Sequence, residues 1–208
     1  MEAETFIASS LGNSQVVPEK NIFAKKLNEA TKSLKMTDGL LYALIYIFIL
    51  TFICYPGLAV DNTIKFMLDW NNYLSWHFIF IQAVFNFMDT VGRFMGGHPK
   101  FLLSNLTIKI GSALRTIFLV TMLLIAFDVP PAGLFSSSWF VILNLMLFAF
   151  SNGYISTLCA VKAPQTVSGE AMGMVGGFIG IFISLGIAIG SLLAFGMIPI
   201  IKASPENG

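Results

Sequence analysis

Apolar residues along the chain gather into five long runs parted by short polar breaks, at residues 40–60, 74–94, 108–127, 139–161 and 171–201. A helix rises about 1.5 Å per residue, so about 20 apolar residues cross a 30 Å hydrocarbon core. Each run meets that length, and the pattern predicts five membrane-spanning helices within residues 37–203. The breaks carry the residues that end helices. The stretch from Asp61 to Asn72 is short and polar, and Gly96-Gly97-His98-Pro99-Lys100 is a sharp turn. Asp128, Pro130 and Pro131 close the third run, and Pro164 stops the fourth. Pro56-Gly57 near the end of the first run predicts a kink or an unwound turn. The fifth run is rich in glycine. Its spacings Gly173-xxx-Gly177, Gly176-xxx-Gly180 and Gly186-xxx-Gly190 predict a neighbouring helix packed backbone to backbone.

Residues 1–36 break this pattern. They are polar, with Phe23, Leu27, Ala30 and Leu34 recurring at helical spacing among Lys20, Lys25, Lys26, Lys32 and Lys35. Two readings fit: a solvated, partly disordered cytoplasmic leader, or a basic amphipathic helix lying on the membrane surface.

Composition turns the five runs into a class. Of 208 residues 56% are hydrophobic and 11% charged, with a mean hydropathy of +0.79, whereas soluble domains carry about 25% charged residues. A chain this apolar cannot cover a water-facing surface, so the expected fold is an all-α integral membrane protein surrounded by lipid. The net charge of +1 argues against nucleic acid as a partner. The first apolar run starts too late and is too long for a cleaved signal peptide, which makes it an uncleaved span. Cys54 and Cys159 both fall inside apolar runs and read as small packing residues; neither a metal nor a cofactor is expected.

Lysine and arginine bias sets orientation. The leader carries five lysines, the second-to-third connection Lys100 and Lys109 with Arg93 and Arg115 at its flanks, and the fourth-to-fifth connection Lys162. The opposite side holds only Lys65. The N-terminus is therefore expected in the cytoplasm and residues 204–208 outside, with the plasma membrane as the expected location. The sequon Asn105-Leu106-Thr107 then lies on the wrong side for glycosylation.

The second run carries the candidate chemistry. It opens with Trp76 and His77 at interface depth and closes with Phe85-Asn86-Phe87-Met88-Asp89-Thr90-Val91-Gly92-Arg93. Asp89 and Arg93 are four apart and share a helix face, with Asn86 and Gln82 on the same side. Phe80, Val84, Phe87, Val91 and Phe94 occupy the other side, which suits lipid or packing. A lone Asp or Arg at the centre of a span costs about 2.5–3.5 kcal/mol on insertion scales, so such residues face protein or a water-filled cavity. Asp89 and Arg93 either look inward at a permeant or hold the bundle together as an ion pair. The fourth run has a polar cluster, Ser151-Asn152-Gly153-Tyr154, with Asn144 two turns earlier. Arg115 reads either as a side chain snorkelling from a helix start or as a cavity-facing cation. His98 is a loop residue. The chain has no HExxH, no GxSxG and no histidine at useful spacing from a carboxylate, so it is not expected to be an enzyme.

These residues resemble a known family. Phe85-Asn-x-x-Asp-x-x-Gly-Arg93 looks like the eighth span of equilibrative nucleoside transporters, and Phe148-Ala-Phe-Ser-Asn-Gly-Tyr154 with Leu158-Cys159 and Ala163-Pro164 is similar to their tenth. Glu170-Ala171 and the glycine-rich run resemble their eleventh span, Tyr55-Pro56 an aromatic-proline pair in their seventh, and Arg115 the arginine of their ninth. The resemblance implies five transmembrane helices forming the C-terminal bundle of a major-facilitator-like transporter. It implies a permeant site at Asp89, Arg93, Asn86 and Tyr55, with Asn152 as a further candidate. Gln82 stands where an aromatic residue is expected, which bears on base preference. The implied function is nucleoside or nucleobase transport by facilitated diffusion with alternating access, since no second carboxylate lies mid-membrane to couple protons. A separate N-terminal half, or self-association, would complete the transporter. The alternative is a non-transporting fragment or accessory membrane subunit with a structural Asp–Arg pair.

Overall fold

The computed structural model describes residues 19–59, 62, 64–68, 72–127 and 137–203. Its helices are α1 (Glu19–Met36), α2 (Leu40–Ile53), α3 (Tyr73–Gly97), α4 (Asn105–Leu114), α5 (Thr116–Ala126), α6 (Ser138–Gln165) and α7 (Glu170–Ala203). There is no strand among the described residues, and the fold is all-α. Leu40–Leu58, Asn105–Ala126, Ser138–Gln165 and Glu170–Met197 are each long and apolar enough to cross a membrane. At 25 residues α3 matches them in length. It misses their apolarity because Gln82, Asn86, Asp89, Thr90 and Arg93 lie along it.

Local chemistry explains most boundaries. Ser104 starts α4, its Oγ accepting from the Thr107 amide at 3.2 Å, as an N-cap satisfies an orphan donor. α4 and α5 meet at the single turn residue Arg115, whose backbone stays right-handed helical (φ −60°, ψ −19°), so the third run is one rod interrupted by one residue. Beyond Ile53 the chain continues through the wide turn Cys54–Leu58, where Tyr55 leaves helical geometry (φ −129°, ψ 134°) ahead of Pro56. The break expected from Pro56 is present. Pro164 does not stop α6, which runs one residue further, because a proline near a C-terminus forfeits a single backbone bond. In the leader, residues 19–36 are helical, and α1 leans on α7 with Leu34 against the core. Residues 1–18 and 204–208, and Asp128, Pro130 and Pro131, lie outside the described residues.

α2 and α6 form the buried centre, α3 packs along α6, and α7 packs along α2. Two apolar clusters result. One joins Leu40, Leu44, Ile47, Ile108, Leu158 and Ala163; the other joins Tyr55, Ile81, Phe85, Met122, Leu145 and Phe148. Thr51, Asn152 and Arg115 fall between these clusters in their own helices and form a polar layer across the bundle. Cys54 and Cys159 are buried free thiols, as packing residues would be.

The glycines of α7 divide by half. A Cβ on Gly190 would come 2.6 Å from Ile49 O, and one on Gly186 2.8 Å from Ile45 O, so α2 and α7 meet through these two. Gly173, Gly176, Gly177 and Gly180 have nothing within 4 Å of such a Cβ. Gly190→Ala should lower stability by about 1–3 kcal/mol through overpacking. Gly177→Ala should hold or raise it, by up to about 1 kcal/mol, because alanine favours the helix. Thermal unfolding in detergent checks both, and equal losses would remove the distinction between the two halves.

At one end of the bundle Asp38 ties α4 to the turn before α2. Its carboxylate accepts from Lys109 Nζ at 3.0 Å and from Asn105 Nδ2 at 3.2 Å. The hydrogen bond from Lys109, then that from Asn105, hold Asp38 below its ordinary value of 3.8. A depressed carboxylate adds stability above its unfolded value and loses it as pH falls through the folded one. The melting difference between the native chain and Asp38→Asn should therefore be present at neutral pH and vanish in acid below that folded value. A difference that persists there would contradict the assignment.

Candidate functional site

The expected site residues all lie on α3, on α6 and at the broken end of α2. Helix α3 turns its buried face, Ile81, Phe85, Gly92 and Gly96, against the bundle. The polar stripe runs along the flank of that face. Asp89 sits on its inner edge with a side chain 13% exposed, and Arg93 on its open edge at 50%. Arg93 Nε donates to Asp89 Oδ2 at 2.7 Å, the i,i+4 pair the spacing predicts. Phe87 and Phe94 point outward, as lipid-facing residues would, whereas Phe80 and Val84 pack onto the core.

Asp89 is held from behind as well. Asn152 Nδ2 of α6 donates to Asp89 Oδ1 at 2.7 Å, so each carboxylate oxygen has a protein donor. This contact needs the two helices very close, and glycine permits it. A Cβ on Gly153 would strike Asp89 O, and one on Gly92 would strike Phe150 O. Asn152 itself is 2% exposed, and both ends of its amide are engaged. It stands behind the carboxylate, on the protein side of the track.

Two turns up α3, the hydroxyl of Tyr55 donates to Gln82 Oε1. The Tyr55 ring stacks on Phe85 with centroids 3.9 Å apart and planes within 10°. The break at Tyr55 turns this ring off the α2 helix and onto α3. Asn86 lies between the two ends of the stripe, exposed, its carbonyl accepting from Thr90. Beyond Arg93 the open edge borders a groove of about 570 Å³ lined by Thr90, Phe94, Gly97, His98 and Pro99. The structure thus gathers Gln82, Asn86, Asp89 and Arg93 along one edge, brings Tyr55 to its upper end, and sets Asn152 behind it. Among the described residues no group of His, Cys, Asp and Glu could hold a metal.

A family model described as Nucleoside transporter matches residues 5–198. The chain belongs to the nucleoside transporter family. It is a multi-pass integral membrane protein. Similar proteins include Equilibrative nucleotide transporter 2 of Arabidopsis thaliana, 27% identical over 165 residues, covering 79% of this chain and 37% of that protein. Equilibrative nucleotide transporter 5 of the same plant is 24% identical over 193 residues, covering 90% of this chain and 42% of that protein. The chain thus spans about two-fifths of the length of these relatives.

Three features of the family member's site correct or extend the sequence reading. Arg115 does not snorkel: it is 1% exposed, at the α4–α5 turn, inside the polar layer. Its Nη1 donates to Phe148 O at 3.1 Å and to Ser151 Oγ at 2.6 Å, and its Nη2 to Thr51 Oγ1 at 2.9 Å and Asn152 Oδ1 at 3.4 Å. Thr51, lost within an apolar run, belongs to that layer; the one signal for it was a hydroxyl at mid-span. His77, expected at the interface, is buried with a hydrogen bond to the Asn62 backbone, because α3 turns it into the bundle beside Ile81.

Proposed function

We propose that this chain carries the sugar-binding edge of a nucleoside transporter and occupies the position of the family's C-terminal bundle. The observation that supports this best is the Asp89–Arg93 pair, with the carboxylate fixed to the bundle and the guanidinium half-open beside it. A nucleoside is uncharged but rich in hydroxyls. Crossing hydrocarbon with those groups unsatisfied would cost several kcal/mol each, on the order of 2–7. Arg93 offers its remaining N–H groups to ribose oxygens, and Asp89 retains lone pairs for a ribose hydroxyl. Seven residues along α3 separate Asp89 from Gln82, about 10 Å at helical rise. A sugar joined to a base spans such a distance, which leaves Tyr55, Phe85 and the Gln82 amide for the base end. Asn86 lies between.

Movement in this reading is facilitated diffusion by alternating access: rocking of this bundle against a second one, from another chain or another copy, around the fixed edge. Among the described membrane helices the acids are Asp89 and Glu170, the latter at the first turn of α7, which leaves no mid-membrane carboxylate free to carry a proton. The N-terminus faces the cytoplasm of a plasma-membrane protein, as the lysine distribution suggests. Uptake of labelled uridine or adenosine by cells expressing the chain tests this, with the nucleoside and its monophosphate as competitors. Uptake above that of empty cells, lost with Asp89 or Arg93, supports a transporter. Uptake equal to empty cells, with the chain inserted in the membrane, supports the accessory reading, in which the pair is structural.

A further inference from the structure

The polar layer holds more positive charge than its ion pair accounts for. Arg93 has Asp89 in contact, but Arg115 has no carboxylate within ion-pair distance among the described residues. It is nonetheless among the largest fully buried side chains. Its partners are a carbonyl, two hydroxyls and an amide oxygen, with the Phe148 ring 4.9 Å from the guanidinium carbon and Nε left without an acceptor. Dipoles alone compensate a buried cation poorly, because a low dielectric leaves its field unscreened.

The geometry supplies an anion one residue further on. Asn152 presents Oδ1 to Arg115 and Thr51, at 3.4 and 2.7 Å, and Nδ2 to Asp89 at 2.7 Å. Its amide dipole therefore lies along the line from guanidinium to carboxylate, negative end to the cation and positive end to the anion. Turned over, it would set oxygen against oxygen and N–H against N–H. The two charges together fix the amide, and the amide fixes the carboxylate.

We infer that Arg115 is a second counter-charge of Asp89, acting through Asn152, and that this relay positions the carboxylate on which Arg93 is oriented. The line Arg115–Asn152–Asp89–Arg93 then joins the α4–α5 turn, α6 and α3 in one electrostatic unit with one anion for two guanidiniums. Arg115 and Asn152 are positioning residues, set behind the edge that faces the permeant. The inference deepens the proposed site but stands on charge and geometry, so it can fail or hold independently of transport.

A double-mutant cycle on thermal unfolding of the detergent-solubilised chain tests it. In the native background Asp89→Asn strands two cations; in an Arg115→Gln background it strands one. The melting-temperature loss caused by Asp89→Asn should fall to about half or less in the second background. Arg115→Lys, which keeps the charge but not the hydrogen-bond set, should restore the full loss. Losses that simply add, or an Arg115→Lys background that behaves like Arg115→Gln, would overturn the inference, since packing and hydrogen bonds alone would then explain Arg115. A second comparison serves if Arg115→Gln does not fold. Adding Asn152→Asp to Asp89→Asn moves the anion one step along the relay and should recover most of the lost stability. No recovery would overturn the inference. Uptake lost in any of these variants with the coupling intact leaves it standing.

Discussion

Gly153→Ala is expected to drive α3 off α6 and to disable the site without altering a polar side chain. The added methyl would meet Asp89 O, with Asp89 C at 2.8 Å and Arg93 N at 2.9 Å. All three are backbone atoms, so no side chain can rotate away, and α3 must withdraw by about 1.5 Å to restore van der Waals contact. A hydrogen bond of 2.7 Å from Asn152 to Asp89 does not survive that movement, since such bonds weaken beyond about 3.2 Å. The stability loss should reach or exceed the upper end of the usual 1–3 kcal/mol for overpacking, about 3 kcal/mol. Misplacement of a binding group by about 1 Å can cost on the order of 100-fold in function. Gly92→Ala should act alike, through Phe150 O and Tyr154 N. Gly97→Ala, with nothing within 4 Å, is the control. Thermal unfolding in detergent compares the three, and a Gly153→Ala chain that melts with the control would contradict the close packing of α3 on α6.

Arg93→Ala is expected to remove uptake while leaving the bundle largely folded. Arg93 is half-exposed, and its contact with Asp89 lies within one helix, so its loss removes little packing. In the proposed function its value lies in the contact with the permeant. A charge-assisted hydrogen bond contributes about 1.5–3 kcal/mol, which corresponds to roughly 10- to 150-fold in affinity. Arg93→Lys should restore only part, because an ammonium cannot reproduce a fork that holds Asp89 with Nε and, in the proposed function, a sugar oxygen with its terminal nitrogens. Asp89→Asn should be worse for stability than Arg93→Ala, because Asn152 and the polar layer also lean on the carboxylate. The measurement is initial uptake rate normalised to protein at the membrane. Flux that survives replacement of both residues by leucine would sink the permeant assignment.

The Tyr55–Phe85 stack marks the limit of reading by resemblance. Tyr55 was legible as a site candidate from Tyr55-Pro56, but nothing in the run said which helix its ring would meet. The break after Ile53 sends it to α3, where its hydroxyl finds Gln82. Gln82, read as a departure that bears on base preference, is in the fold the partner of that aromatic residue. Fold class and family were legible throughout, and so was Asn152 as a candidate; that it holds Asp89 from behind, with Gly153 letting the helices close, was not.

The sequence by itself determined what depends on one helix at a time. Apolar runs of sufficient length dictated membrane helices, and the 3.6-residue repeat placed Asp89 and Arg93 within reach of each other. Pro56 required a break, and the glycine spacings of α7 offered close approach on more than one face. Only the tertiary structure decided which offers were taken. Gly186 and Gly190 pack while Gly173, Gly176, Gly177 and Gly180 do not, and Arg115 turns inward to Thr51 and Asn152 instead of out to water. The physical reason is that a helix's own repeat fixes directions around one axis. Which partner a buried charge or a bare glycine meets depends on the arrangement of several axes, set by the whole bundle at once.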